Sequence, residues 1–127
     1  MRKQYHLVPS QKGFDAWDVD RLIELTRDLP VEVIEIASLA EIDADYWFAG
    51  SGTPATVRAI VEHIRLIDAV DLSYPIILGH DGRVMDGMHR VARALLKGHD
   101  HIRAVRLAQD VEPDYHDCHP DDLPYDR

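Results

Sequence analysis

In residues 57–67 the apolar positions fall three and four apart, at Val57, Ile60, Val61, Ile64 and Ile67. That spacing lines one stripe of a 3.6-residue helix and predicts an amphipathic helix. Thr53 stands as its N-cap and Pro54 at its first position, where a missing N–H has no helical partner to lose. Residues 15–29 carry a second helical pattern: Val19, Leu22, Ile23 and Leu29 lie near one face, Asp15 or Asp18 offers the N-cap, and Pro30 is the stop. Elsewhere the apolar residues come in short runs. VEVIEI (31–36) and IRAVRL (102–107) alternate as strands do, and two more strands are predicted over 75–79 and 83–86, joined by His80, Asp81 and Gly82. Asp-Gly favours such a hairpin because both residues tolerate positive φ. A third helix is expected over 88–97, with Val91, Leu95, Ala92 and Ala94 to pack, Lys97 in its last turn and Gly98 as a left-handed cap. Residues 37–52 have no clean period and end in Gly, Ser and Gly, which predicts a loop holding at most a helical turn.

At 127 residues the chain suffices for one domain with a hydrophobic core. Its 46% apolar and 29% charged residues are the balance of a soluble globular protein. No apolar run approaches the ~20 residues that span a bilayer, and the start MRKQYHLVPSQKG lacks the apolar stretch of a secretory signal, so a cytoplasmic location is expected. A single cysteine, Cys118, leaves no intrachain disulfide. With 23 Asp+Glu against 14 Lys+Arg, the net charge of -9 works against non-specific binding to a nucleic-acid backbone, yet it permits a local pocket for a small anion. After Leu107 the apolar content falls and Asp and Pro rise. The expected division is a domain over residues 1–110 and an acidic, flexible tail over 111–127.

The chemistry concentrates in DGRVMDGMHRVARALLKG, residues 81–98. Gly87 stands where a strand turns into a helix, and His89 and Arg90 open that helix. A helix start already carries about half a positive charge, so cations there call for an anionic partner. One answer is a bound oxyanion, cradled by the backbone after Gly87 and gripped by the Arg90 fork. The other is a structural bridge from Arg90 to Asp86 or another carboxylate.

The stretch from Thr56 to Leu107, and above all Gly87, Met88, His89 and Arg90 with Gly98 after them, resembles the core of the ParB/sulfiredoxin superfamily. Its members share a strand, a Gly-x-x-Arg sequence and a helix as a phosphate motif. The resemblance implies an α/β (α+β) fold, a small mixed sheet with packed helices, and nucleotide binding (ATP, ADP or CTP) with Mg²⁺ if the ligand is a triphosphate. Sulfiredoxins place cysteine where this chain has Met88, and a thioether cannot form their covalent intermediate, so that activity is not expected. Chromosome partitioning is not expected either, because no helix-turn-helix follows. The functions left open are a nucleoside triphosphatase or small-molecule kinase, a non-catalytic nucleotide switch that controls a protein partner, and, against the net charge, a metal-dependent nuclease. Superfamily members often carry an arginine in the loop after their first strand, whereas IDADYWFAG here has none.

Gly87, Met88, His89 and Arg90 are therefore the expected phosphate-binding residues, and Asp86 and His89 the candidate catalytic ones. Asp86 would hold a metal ion or orient His89, and His89 would add a hydrogen bond or a proton. Glu32 and Glu35 are candidate bases if their strand faces the same cleft; each carboxylate has a bridging or solvated role as its alternative. Tyr46, Trp47 and Phe48 either stack a nucleobase or close the core. His116, Cys118 and His119 hold soft and imidazole ligands close together, but on a tail they read as solvated, and no metal site is expected. His99 and His101 around Asp100 read as an exposed loop.

Overall fold

The computed structural model describes residues 3–48 and 53–125 and builds them into two small sheets and three helices, a mixed α+β fold. In chain order the elements are β1 (Tyr5–Pro9), β2 (Phe14–Asp18), α1 (Val19–Thr26), β3 (Glu32–Glu35), α2 (Val57–Ala69), β4 (Ile76–Leu78), β5 (Val84–Asp86), α3 (Met88–Leu96), β6 (His101–Arg106) and β7 (Tyr115–Cys118). Short 3-10 turns stand at Ile36–Ser38, Ala40–Asp43 and Pro120–Asp122. Among the described residues no helix is long and apolar enough to cross a membrane.

The second sheet has the order β3-β6-β4-β5, with β4 and β6 parallel and the other pairs antiparallel. Its middle strand β4 is the uninterrupted apolar run Ile-Ile-Leu because both of its faces are covered. Ile76 and Leu78 point to one side, where they meet Met88, Val91 and Ala94 of α3 and Ile36 and Leu39 of the 3-10 segment. Ile77 points to the other, against Leu22 of α1, Val105, Leu107 and the indole of Trp17. The hairpin turn between β4 and β5 is as expected, with Gly82 at φ +89° donating its N–H to Gly79. The end of α3 is also as expected. Gly98 is left-handed, and the N–H groups of Gly98 and His99 return to the carbonyls of Leu95 and Ala94.

Three expectations change. Residues 14–18 are a strand rather than the start of a helix. Ala16 is fully buried where β2 runs between β1 and β7, and the helix begins at Val19, with Asp18 accepting from the Asp20 N–H at 2.9 Å. Val19, Leu22 and Thr26 form its inner face, while Ile23 is turned out. Helix α2 begins at Val57, not at Pro54. Thr56 is its N-cap, accepting from the Ala59 N–H at 3.1 Å, and Pro54 stays outside with its carbonyl on the Thr56 N–H.

The third change concerns the acidic segment expected to be a flexible tail. It carries β7, which pairs with β2, and Leu123, which is buried. Trp17 Nε1 donates to the Val111 carbonyl at 2.7 Å and Arg21 bridges to Asp114 at 3.2 Å. Low apolar content did not leave it loose, because an edge strand needs only backbone groups and a few anchors to add to a sheet.

The apolar stripe of α2 is not the face that packs. Ala59, His63 and Ile67, four residues apart, are the half-buried ridge beside α3, whereas Val57, Ile60, Val61 and Ile64 are exposed. What anchors α2 is partly polar: Arg93 of α3 donates to the Asp68 and Ile67 carbonyls at its C-terminal end, at 2.8 and 3.3 Å. A cation suits that end of a helix.

Candidate functional site

Strand β5 turns into α3 through Gly87, whose φ of +104° is the left-handed conformation that L side chains resist. A second constraint acts on the same atom position. A Cβ there would lie 2.7 Å from both Arg90 Nη2 and Ile76 Cγ2. Arg90 passes under the glycine and donates from Nη2 to Asp86 Oδ2 at 2.9 Å, and both side chains are only 17% exposed. The cation at the head of the helix thus has its anion inside the protein. Arg90 Nε is buried with no hydrogen-bond acceptor among the described residues.

No side chain caps the start of α3, so the first-turn N–H groups have only the Gly87 carbonyl's bond to Val91 to order them. They border a cleft of about 310 Å³ between the β1–β2 hairpin and the head of α3. Asp86, Gly87, Met88 and His89 line it on one side, while Tyr5, His6 and Phe14 line it on the other. Arg90 is not among its lining residues. The expected phosphate motif is therefore split, with three of its residues at the cleft and its guanidinium folded away beneath them. A second cavity of about 330 Å³ lies between the 3-10 segment and α3, with mostly apolar walls such as Ile42, Phe48, Ala92 and Leu95.

His89 is held by rings. Its Nε2 lies 2.8 Å from Nδ1 of His63 on α2, one proton serving the pair, and both imidazoles stack on Trp47 with centroids at 4.9 and 4.4 Å. Burial, then the nearby His63 and Arg90 charges, pushes His89 down to about 4. His6, across the cleft, is also lowered to about 4 by burial, against a smaller opposing pull from Asp81. Burial lowers His63 as well. At neutral pH these imidazoles are uncharged and offer the cleft dipoles rather than charge. Tyr46 is raised to about 12 by burial and by the Glu41 and Asp86 charges, and it stays a phenol whose OH donates to the Val84 carbonyl at 3.2 Å.

The remaining candidates scatter. Glu32 and Glu35 sit on β3, at the opposite edge of the sheet from β5, so they do not reach the cleft; Glu32 meets Arg106 at 3.3 Å and Glu35 is paired in register with His101. Tyr46 and Trp47 pack against the core while also lining the cleft. His116 lies 4.0 Å from Asp15, and His119 Nδ1 accepts from the Asp121 N–H at 3.1 Å. Among the described residues no three His, Cys, Asp or Glu side chains are placed to hold one metal ion. Asp86, the carboxylate at the cleft, already neutralises Arg90, so the donor set does not fit Mg²⁺. Asp100 offers its carbonyl to the Ile36 N–H, and His101 begins β6.

Two residues at the site carry no expectation from the sequence. His63 stands in helical register with Ala59 and Ile67, and that position on a packing ridge is the signal that points to it. His6 has no such signal, since only the pairing of β1 with β2 brings it to the cleft. In comparisons with known proteins, no family model, no curated protein and no solved structure matches this chain.

Proposed function

We propose that this chain is a nucleotide-binding module of the ParB/sulfiredoxin kind, which receives the phosphate end of its ligand at the head of α3. The observation that carries the reading is the uncapped helix start at Gly87, opening into a cleft whose opposite wall is a separate hairpin. Backbone N–H groups at such a start bind oxyanions without a side-chain cation. Binding is favoured over phosphoryl transfer because both candidate catalytic groups are engaged: Asp86 with Arg90, and His89 with His63 and Trp47.

The test is a thermal-shift screen of the full chain against nucleoside mono-, di- and triphosphates, with phosphate release measured in parallel. A ligand that prefers the folded state raises the melting temperature, by ~2.7 kcal/mol of stability at one hundred times its Kd. Stabilisation without turnover is the expected result. Released phosphate would favour a hydrolase, and no response to any nucleotide would end the reading.

A further inference from the structure

The cleft's own chemistry narrows which nucleotides suit it, an inference that rests on the nucleotide reading above. Among the described residues no lysine or arginine lines it. The cation nearest in sequence to the lining, Lys3, is engaged by Asp18 at 2.7 Å and Asp20 at 3.2 Å. Arg90 is pinned under Gly87, with Asp86 as its acceptor and Ile76 alongside. Asp86 puts a carboxylate in the wall, and the rings of Tyr5, Phe14, Tyr46 and Trp47 make up much of the rest.

A triphosphate carries several negative charges and is seldom held without basic side chains or a metal ion. Here it would meet a carboxylate of its own sign, in a site whose donors do not fit Mg²⁺. A single phosphate asks less, since a few N–H groups can satisfy its oxygens. Aromatic walls favour a flat ring, through apolar contact and stacking that any nucleobase can make. The volume of about 310 Å³ is at the small end of the ~300–1,000 Å³ usual for ligand pockets.

We propose that the cleft selects an aromatic ring bearing one phosphate, the nucleoside monophosphate class, and that Asp86, by keeping Arg90 out of the cleft, turns polyphosphates away. Calorimetry on the full chain tests this with the four common nucleoside 5′-monophosphates, their triphosphates with Mg²⁺, and inorganic phosphate. At least one monophosphate is expected to bind tenfold or more tightly than its triphosphate, and more tightly than inorganic phosphate. In Asp86→Asn the triphosphate should gain tenfold or more, because Arg90 is freed and the repelling charge is gone; a gain of binding cannot come from misfolding.

A triphosphate that binds the wild type as tightly as its monophosphate overturns this inference and leaves the nucleotide reading standing. Inorganic phosphate matching the monophosphates removes the ring from the proposal and overturns it too. A monophosphate preference that Asp86→Asn leaves unchanged overturns the role of Asp86, and the inference with it. If no nucleotide binds at all, both readings fall.

Discussion

Replacing Gly87 by alanine tests the geometry at the head of α3 without any ligand. The added methyl meets two separate penalties. The first is conformational, since φ of +104° in an L residue costs about 1–2 kcal/mol. The second is steric: Cβ would stand 2.7 Å from Arg90 Nη2 and 2.7 Å from Ile76 Cγ2. Neither neighbour gives way easily, because Asp86 ties Arg90 and Ile76 is fully buried in β4. Overpacking of this kind costs about 1–3 kcal/mol, so Gly87→Ala should lose about 2–5 kcal/mol, a large part of the ~5–15 kcal/mol that holds a domain folded.

Gly98 supplies the control. It has φ of +78° and nothing within 4 Å of a built Cβ, so Gly98→Ala should show the conformational penalty alone, about 1–2 kcal/mol. Urea denaturation followed by circular dichroism measures both variants on one scale. If Gly87→Ala is no more destabilised than Gly98→Ala, the packing of Arg90 beneath the glycine is refuted, and with it the account of why the cation faces away from the cleft.

Acid should destabilise the protein before its ordinary carboxylates titrate. Burial holds His6 and His89 at about 4 in the fold, against about 6.5 in an unfolded chain, so the unfolded state takes up protons that the folded state refuses. Stability is then complete above pH 6.5 and falls as pH drops towards 4; a melting temperature level from pH 7 to 4.5 would contradict this. Arg93→Met should loosen α2 by ~1 kcal/mol, through loss of the bonds to the Asp68 and Ile67 carbonyls. Hydrogen exchange should then quicken about fivefold in α2 while β4 stays protected, and equal quickening in both would show that the anchor is not local. Deleting residues 113–127 removes β7 and the buried Leu123, and should lower stability by at least the ~1.5–3 kcal/mol of one buried leucine. An unchanged unfolding midpoint would mean that β7 adds nothing to the sheet.

Elements whose local pattern agrees with their final environment are legible in the sequence: the β4–β5 hairpin with its Asp-Gly turn, the strand β6, and α3 with its glycine end. Turn chemistry and capping depend on neighbours a few residues away, so the chain spells them out. Gly87 is legible too as a strand-to-helix turn. The direction of Arg90 is not, because two partners suit it equally on paper and only the tertiary placement of Asp86 at 2.9 Å chooses between them.

Residues 14–18 show the same limit, since their helical periodicity yields to pairing with β1 on one side and with a strand about a hundred residues later on the other. The apolar stripe of α2 predicts a helix correctly but not which face it buries, because a period carries no information about the neighbour. The cleft belongs wholly to the tertiary level. Tyr5, His6 and Phe14 meet Trp47 and His89 across it only after the hairpin and the β5–α3 junction are folded side by side. By itself the sequence determined the local turns, caps and periods, whose energies are settled over a few residues. The choice of partners over long separations, and hence the charge and shape of the site, was decided by packing.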